Sequence, residues 1–498
     1  MLASLAMILL VATIVFRSYA TARGIPLLAG DACVFLPQTI PFQQRGELVN
    51  VVWRPASDLD ARGEGRMVYH GFLYPMLLSV VMWQADYVTL SRVLAVLQGG
   101  TMLFFCVFLW SFAKRWQWRL TSGRILLIGL LVVACANYLR GAVGRPESLA
   151  ALLLMVGVLL VSATPPAWHG WIAGIGIGAL TVIDPVVGGM AGLAFAGAAA
   201  WWLHPRRWFW TVAGAAGLSV SFFVACLFWY PYAFADWWSG TLKMANYAFA
   251  DGIRKYDLRS YLSEYLWSGS GWFLFGTLTL ALWSAVRLIR RQYLEGTGPV
   301  FPAALFAMLV LAGAALSRFV LYASWAKYNV LPFMPIGFLA IFYELGRTPV
   351  PNSGKPTAFR RAAFLILAIA SLGLAGDLVE RVHTMRFGLD LAQARDLFGA
   401  VRKAHAGEVI ALPENLFTLT ENYSNIIFWN GSRPPAKASL LVTAQFYSGR
   451  ATPPPIDGFQ VVANHFNPQR PFLFGIPVSR GDRGSGFAVY SRNPAASP

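Results

Sequence analysis

Residues 30–75 read GDACVFLPQTIPFQQRGELVNVVWRPASDLDARGEGRMVYHGFLYP and form a long polar stretch between apolar runs. Acids and arginines alternate along it: Asp31, Arg45, Glu47, Arg54, Asp58, Asp60, Arg62, Glu64 and Arg66. A run of membrane-span length, about residues 2–20, precedes it. Charged side chains are costly inside lipid, so we expect this stretch to be a loop outside the membrane and the place where chemistry occurs.

The composition is that of a membrane protein. The chain has 498 residues, of which 57% are hydrophobic and 13% charged, whereas about 25% are charged in soluble domains. The formal net charge is +17, but Lys and Arg cluster in short linkers between apolar runs, where membrane topology and anionic lipid headgroups account for them. No zinc-knuckle spacing, recognition-helix pattern or Walker loop occurs, so no nucleic-acid partner is expected.

The cysteines give no sign of a disulfide framework or a zinc site. Cys106, Cys135 and Cys226 lie in apolar runs, and Cys33 lies in the polar stretch. The sequence contains no CxxC motif and no His/Cys cluster.

The apolar runs predict a mostly α, polytopic membrane protein with about eleven transmembrane helices. The predicted spans cover about residues 2–20, 87–112, 124–140, 147–163, 170–183, 186–203, 208–230, 271–290, 301–317, 323–345 and 361–379. Residues 73–83 are apolar but too short to cross a hydrocarbon core of about 30 Å, so we interpret them as an interfacial helix. The first run could be a signal peptide, but no basic residue precedes it, which favours a retained span.

The basic linkers orient these spans. With the N-terminus in the cytoplasm, the cytoplasmic linkers would be 114–119, 164–170, 204–208, 287–293 and 346–361, and four of these five are basic. The positive-inside rule then places the polar stretch and the C-terminus outside. We predict an integral protein of a bacterial inner membrane.

Two domains are predicted. Residues 1–380 form the transmembrane domain, with a first outer loop at 21–86 and a second long outer loop at 231–270, which should carry interfacial segments. Residues 381–498 are more polar and contain short strand-like runs, so we predict a small α/β domain on the periplasmic or extracellular side.

Four places on the predicted outer side carry ionisable groups near membrane depth. Asp31 follows the first span and could act as a general base or metal ligand, or simply be solvated. Arg145 and Glu147 stand in a tight turn, where Pro146 and Glu147 suit a helix start. Asp184-Pro185 is interpreted as a helix start. Lys327 could extend its ammonium group to the membrane interface. It could equally neutralise a phosphate, to which Tyr328 could donate a hydrogen bond.

The order of these motifs resembles that of the GT-C superfamily of polytopic glycosyltransferases, which includes protein O-mannosyltransferases and lipid A aminoarabinose transferases. Gly30-Asp31 is similar to the first-loop acidic motif, and Tyr69 to Pro75 to the segment that closes that loop. Leu90–Leu94, Gly144–Glu147 and Lys327-Tyr328 with Leu331-Pro332 and Pro335 resemble later motifs. The resemblance extends over most of residues 1–380 as an arrangement.

The resemblance implies an inverting transfer of sugar from a polyprenyl-phosphate donor to a lipid, glycan or protein acceptor. Asp31 would be the general base, and Glu147 would orient the acceptor or hold a metal. The expected donor phosphate-binding residues are Lys327, Arg145, Arg92 and Tyr328; the expected acceptor or loop residues are Tyr69, His70, Arg54 and Tyr74.

A divalent metal is possible in this class but has no clear motif here. Many members carry adjacent acids in the first loop, whereas Asp31 is followed by Ala32. If a metal binds, the ligands would be Asp31 and Glu147.

Alternative functions remain open at this stage. A secondary transporter or lipid-linked glycan flippase would also place charges near spans, but inverted repeats are not evident. A glycan polymerase or ligase would look similar. A non-catalytic assembly or sensor protein would use the C-terminal domain as a binding module.

Overall fold

The computed structural model describes the helical bundle, parts of the first outer loop and most of the C-terminal region. The described residues are 2–25, 27, 32–50, 52, 65–66, 71–138, 143–200, 203–229, 269–295, 300–319, 331–346, 358–429, 434–446, 453–465, 472–473, 476–477 and 484–493.

The protein is mostly helical, as predicted. Its helices are α1 (Leu2–Ala22), α2 (Ala32–Phe35), α3 (Thr39–Arg45), α4 (Leu73–Val81), α5 (Tyr87–Arg115), α6 (Ser122–Tyr138), α7 (Glu147–Ala163), α8 (Pro166–Ile183), α9 (Pro185–Ala200), α10 (Pro205–Trp229), α11 (Gly269–Glu295), α12 (Val300–Phe319), α13 (Met334–Gly346), α14 (Ala358–Phe387) and α15 (Leu391–Ala404). A 3-10 turn, Leu331–Phe333, leads directly into α13.

Membrane-spanning character is clear for several helices. By length and composition, α5, α8, α10 and α14 could each cross a membrane, and shorter apolar helices accompany them. The predicted count of about eleven spans is not tested by these helices and stays a prediction. The short helix predicted at 73–83 is α4, which begins at Leu73 and ends at Val81.

One face of α5 shows how the bundle would sit in lipid. Val96, Leu103 and Trp110 on this face are exposed by 75%, 50% and 41%. The exposed side chains of Arg92 and Lys114 stand at its two ends. They are about 33 Å apart along the helix axis at about 1.5 Å per residue, which matches a hydrocarbon core of about 30 Å.

Helices α8 and α10 pack closely because α8 presents a row of glycines. Gly170, Gly174 and Gly178 follow one another at four-residue spacing and all face α10. Small residues at this spacing let two helix backbones approach in lipid. Ser219 on α10 uses that approach, since its Oγ donates a hydrogen bond to the carbonyl oxygen of Gly174 at 2.9 Å.

The C-terminal region combines α15 with a mixed sheet. Its strands are β3 (Ile410–Pro413), β4 (Ile426–Trp429), β5 (Leu440–Phe446), β6 (Phe459–His465) and β9 (Gly484–Arg492), in the order β4-β3-β5-β9-β6. Strand β3 is parallel to β4 and β5, and β9 is antiparallel to β5 and β6. Short pairs form elsewhere: β1 (Val49–Asn50) with β2 (Gly65–Arg66), and β7 (Phe472–Leu473) with β8 (Ile476–Pro477).

The first outer loop and the C-terminal region share one hydrophobic core. Leu36 and Ile40 from the loop, Leu90 from α5, and Phe398 and Val489 from the C-terminal region belong to the same buried cluster. The sheet therefore packs onto the end of the bundle that carries the first loop, which we call the outer end after its predicted side. The predicted division at residues 380 and 381 falls inside α14.

Helix α14 extends beyond the predicted span and carries polar residues that are paired inside the bundle. The sequence places the end of this span near residue 379, whereas the helix continues to Phe387. Asp377 is completely buried and accepts a hydrogen bond from Arg381 Nε at 3.1 Å. It also forms an ion pair with Arg17 of α1, whose Nε is 3.2 Å from Asp377 Oδ2. Arg381 also donates to the carbonyl oxygen of Ile25 at 2.7 Å. Paired charges can remain within a span.

The glycine row gives a matched test of the α8–α10 contact. A Cβ at Gly174 would lie 2.6 Å from Leu218 Cβ and 2.8 Å from the carbonyl oxygen of Ala215, whereas a Cβ at Gly176 would meet nothing within 4 Å. Gly174→Ala should therefore destabilise the detergent-solubilised protein by about 1–3 kcal/mol. Thermal unfolding should show a lower melting temperature for Gly174→Ala and an unchanged or higher one for Gly176→Ala. Equal effects of the two substitutions would contradict the packing described.

Candidate active site

A tight turn before α7 lies at the centre of the outer end. Gly144 adopts a left-handed conformation with φ of +80°, which favours glycine over other residues. A Cβ at Gly144 would stand 3.0 Å from both Ala32 Cβ and Leu36 Cδ1. The turn therefore packs directly against α2, the helix that follows Asp31 in the sequence.

Arg145 and Glu147 form a buried ion pair in this turn. Arg145 Nε donates to Glu147 Oε1 at 2.8 Å, and Arg145 Nη2 is 2.6 Å from the same oxygen. The two side chains are 9% and 2% exposed. The guanidinium also lies over the ring of Phe35 from α2, with its carbon 5.2 Å from the ring centroid. This pair holds α2 and α7 together.

Tyr74 on α4 belongs to the same electrostatic neighbourhood. Its side chain is buried, and burial raises the pKa of the phenol well above its usual value, with the Glu147 carboxylate raising it further. The phenol therefore keeps its proton and can donate a hydrogen bond. Among the described residues, neither Tyr74 Oη nor Glu147 Oε2 has a hydrogen-bond partner.

Asp184 joins the cluster from the break between α8 and α9. Its Oδ1 accepts hydrogen bonds from the backbone N–H groups of Val186 and Val187 at 3.0 and 3.1 Å, which caps α9. Burial raises the pKa of this carboxyl, while the two backbone hydrogen bonds and the Arg145 guanidinium lower it. The predicted helix start is therefore correct, and the same residue also interacts with the turn.

Other segments singled out in the sequence meet at this end. A Cβ at Gly71, just before α4, would lie 2.0 Å from the carbonyl oxygen of Val182, so the start of α4 abuts the end of α8. The 3-10 turn Leu331–Phe333 packs on α7. Among the described residues, α2, α4, α7 and the α8–α9 break thus contribute side chains near the Arg145–Glu147 pair.

Several predicted site residues cannot be assigned to this cluster from their positions. Asp31, Arg54, Tyr69, His70, Lys327 and Tyr328 lie outside the described residues. Arg92 is described, and its side chain is exposed on α5 at the end of the apolar face, whereas Arg145 is buried. The structure therefore brings together Tyr74, Arg145 and Glu147, and it does not bury Arg92 with them.

The charges in the described cluster suit a hydroxyl group better than a phosphate. The guanidinium of Arg145 is paired with the Glu147 carboxylate and also interacts electrostatically with Asp184. A cation already paired in this way attracts a further anion weakly. The Tyr74 phenol as donor and Glu147 Oε2 as acceptor match a neutral hydroxyl instead. Within the described part of the chain, no three His, Cys, Asp or Glu side chains are grouped to hold a metal ion.

The sequence reading missed the intramembrane charges. Arg17 interrupts the first apolar run, and Asp377 and Arg381 stand one helical turn apart in the last. Their positions within spans were the available signal. They tie α1 to α14, and Arg17 Nη1 also donates to the carbonyl oxygen of Ala136 on α6 at 3.0 Å.

Two solved structures similar to this chain are both of an oligosaccharyltransferase from Archaeoglobus fulgidus. The crystal structure of the apo form is 11% identical with a TM-score of 0.43, covering 87% of this chain and 69% of that chain. The second, archaeal oligosaccharyltransferase AglB in complex with an inhibitory peptide and a dolichol-phosphate, is 10% identical with a TM-score of 0.41 and the same shares.

At these identities and TM-scores the likeness carries no argument about the function of this chain. No protein-family model matches the chain, and no curated protein matches its sequence. The function has therefore to be inferred from the residues of this chain.

Two Arg–Glu pairs of identical spacing test the structural importance of the buried one. Arg145→Gln leaves Glu147 charged and buried, which should destabilise the protein by about 3–5 kcal/mol. Arg45→Gln affects an exposed pair with Glu47, whose side chains are 48% and 53% exposed, and should change stability by less than about 1 kcal/mol. Chemical denaturation of the two variants in detergent measures the difference.

The double variant Arg145→Gln with Glu147→Gln provides the control. Removing both charges should restore part of the stability that Arg145→Gln loses, since no unpaired charge then remains buried. If the double variant is instead less stable than Arg145→Gln, so that the effects of the two substitutions simply add, the pairing is contradicted.

Proposed function

We propose that this protein is a membrane glycosyltransferase of the GT-C kind. It would transfer a hexose or pentose from a polyprenyl-phosphate-linked donor to a lipid, glycan or protein acceptor on the outer face of the membrane. The observation that carries the proposal is the polar cluster of Tyr74, Arg145, Glu147 and Asp184, buried where the motif-bearing segments converge.

The proposed chemistry is a single inverting displacement. Asp31 takes the proton of an acceptor hydroxyl, and the hydroxyl oxygen attacks the anomeric carbon of the donor. The bond from that carbon to the phosphate oxygen breaks, and the electron pair leaves with the polyprenyl phosphate. Preorganised cations stabilise the charge that develops on the leaving phosphate.

The other residues take roles that fit their chemistry. Lys327, with Tyr328 as hydrogen-bond donor, neutralises the donor phosphate, and Arg92 attracts it from the membrane interface. Tyr74 and Glu147 orient the acceptor, while Arg145 fixes the Glu147 carboxylate. Asp31 precedes α2 in the sequence, and α2 packs on the turn that carries Arg145. This contact supports a base at the same end as the cluster.

The carboxylate roles predict a clear activity pattern. Asp31→Asn should reduce sugar transfer by about 100-fold or more, because a general base contributes about 10²–10⁴-fold to the rate. Glu147→Gln should also reduce transfer, while Asp58→Asn, in the middle of the same loop, should leave it near the wild-type rate. The assay uses proteoliposomes with polyprenyl-phosphate hexoses and pentoses and measures released polyprenyl phosphate.

The same assay separates a transferase from a transporter or flippase. A transferase releases one polyprenyl phosphate for each sugar transferred, whereas a flippase moves the donor across the membrane unchanged. Full activity in a correctly inserted Asp31→Asn protein would rule out the base, and donor movement without release would rule out the proposed reaction.

A further inference from the structure

The C-terminal region is bound to the start of α5 by a small group of side chains. Glu421 Oε1 accepts a hydrogen bond from the backbone N–H of Tyr87 at 3.0 Å. Arg395 on α15 forms an ion pair with both oxygens of Glu421. The hydroxyl groups of Tyr87 and Tyr423 are hydrogen-bonded to each other. We call Glu421, Arg395, Tyr423 and Tyr87 the clasp.

Next to the clasp, a short segment of the C-terminal region packs against the first loop. This segment is the 3-10 turn Glu414–Leu419, and its Phe417 ring meets the ring of Tyr87 edge-on, with centroids 5.2 Å apart. On its other side the turn packs on α2. Leu416 and Phe417 share a buried cluster with Ala32 and Cys33 of α2.

Helix α2 is therefore held between the C-terminal region and the candidate active site. Its Ala32 and Phe35 contact Gly144 and Arg145, and the helix also contacts the turn Glu414–Leu419. An isolated helix of four residues cannot hold its own position in water, so its placement depends on these neighbours.

A second attachment fixes the C-terminal region where it leaves the bundle. Arg23 Nε, just after α1, is 3.0 Å from Asp390 Oδ2, and the backbone N–H of Leu391 donates to the carbonyl oxygen of Arg23 at 2.9 Å. Asp390 also caps α15 together with Gln393. With both attachments in place, the region cannot rotate freely about the end of α14.

From this arrangement we infer that the C-terminal region is a working part of the transfer site and that the clasp positions α2 for the reaction. The inference rests on the function proposed above. Glu421, Arg395 and Tyr423 act as positioning residues, because they reach α2 through Tyr87 and Phe417. The region is thus more than a tethered binding module.

The native thiol of Cys33 reports on the position of α2 without any activity assay. Cys33 is buried at 8% exposure, and a membrane-impermeant maleimide added from outside should label it slowly. Glu421→Ala removes charge-assisted hydrogen bonds, so Cys33 labelling should become about ten-fold faster or more. Labelling that disappears in the Cys33→Ala variant is the labelling of Cys33. Glu408→Ala, which removes a half-buried pair with His405 in the same region, should label like the wild type.

Kinetics then distinguish positioning from general destabilisation. Glu421→Ala and Tyr423→Phe should lower kcat for a polyprenyl-phosphate hexose or pentose, by about ten-fold for Glu421→Ala, with the donor KM changed less than about two-fold. Glu421→Gln keeps an acceptor oxygen for Tyr87 and Arg395 and should recover most of kcat.

Two outcomes would overturn the inference. The first is unchanged Cys33 labelling in folded Glu421→Ala protein, which would show that the clasp does not hold α2. The second is faster labelling with wild-type kcat, which would show that the position of α2 does not matter for transfer. A wild-type protein that transfers no sugar contradicts the proposed function instead, and the labelling result still tests the clasp.

Discussion

The buried ion pair between Arg145 and Glu147 is the interaction on which the outer end of this protein depends. Both side chains are buried. Removing one partner would leave the other as an unpaired buried charge, which costs about 3–5 kcal/mol of stability. The guanidinium covers Phe35 of α2, and Glu147 begins α7. The Tyr74 phenol interacts electrostatically with Glu147 and Arg145, and Asp184 interacts with Arg145. This pair therefore links α2 of the first loop to α7, and it lies near α4 and the α8–α9 break.

Two further charge networks extend this end of the molecule. Arg17, Asp377 and Arg381 tie α14 to α1 within the bundle, where an unpaired charge would be costly. Arg23 and Asp390 then join the end of α1 to the start of α15. The C-terminal region is thus attached at the start of α15 and at Tyr87, and its turn Glu414–Leu419 contacts α2. On the inference drawn above, this region helps to position the site that begins in the first loop.

Local patterns predicted much of this fold. The starts of α5 at Tyr87 and of α7 at Glu147 follow from the span lengths and from Pro146. Helix α8 begins earlier than predicted, at Pro166, because a proline is tolerated in a first helical turn. The end of α14 and the roles of Glu421 and Tyr423 could not be predicted, because their partners, Arg17 and Tyr87, lie hundreds of residues away. The sequence indicated Asp184 as a cap, while its closeness to Arg145 depends on tertiary packing.

The proposed reaction is a single chemical step on one side of the membrane, and it consumes a lipid-linked sugar. Mass spectrometry of lipid-linked and surface glycans in a deletion strain reports donor, acceptor and missing linkage together. We predict that the deletion strain accumulates a polyprenyl-phosphate sugar and lacks one glycosidic linkage, and that Asp31→Asn fails to restore it while Asp58→Asn succeeds. An unchanged lipid-linked pool with intact surface glycans would contradict the account.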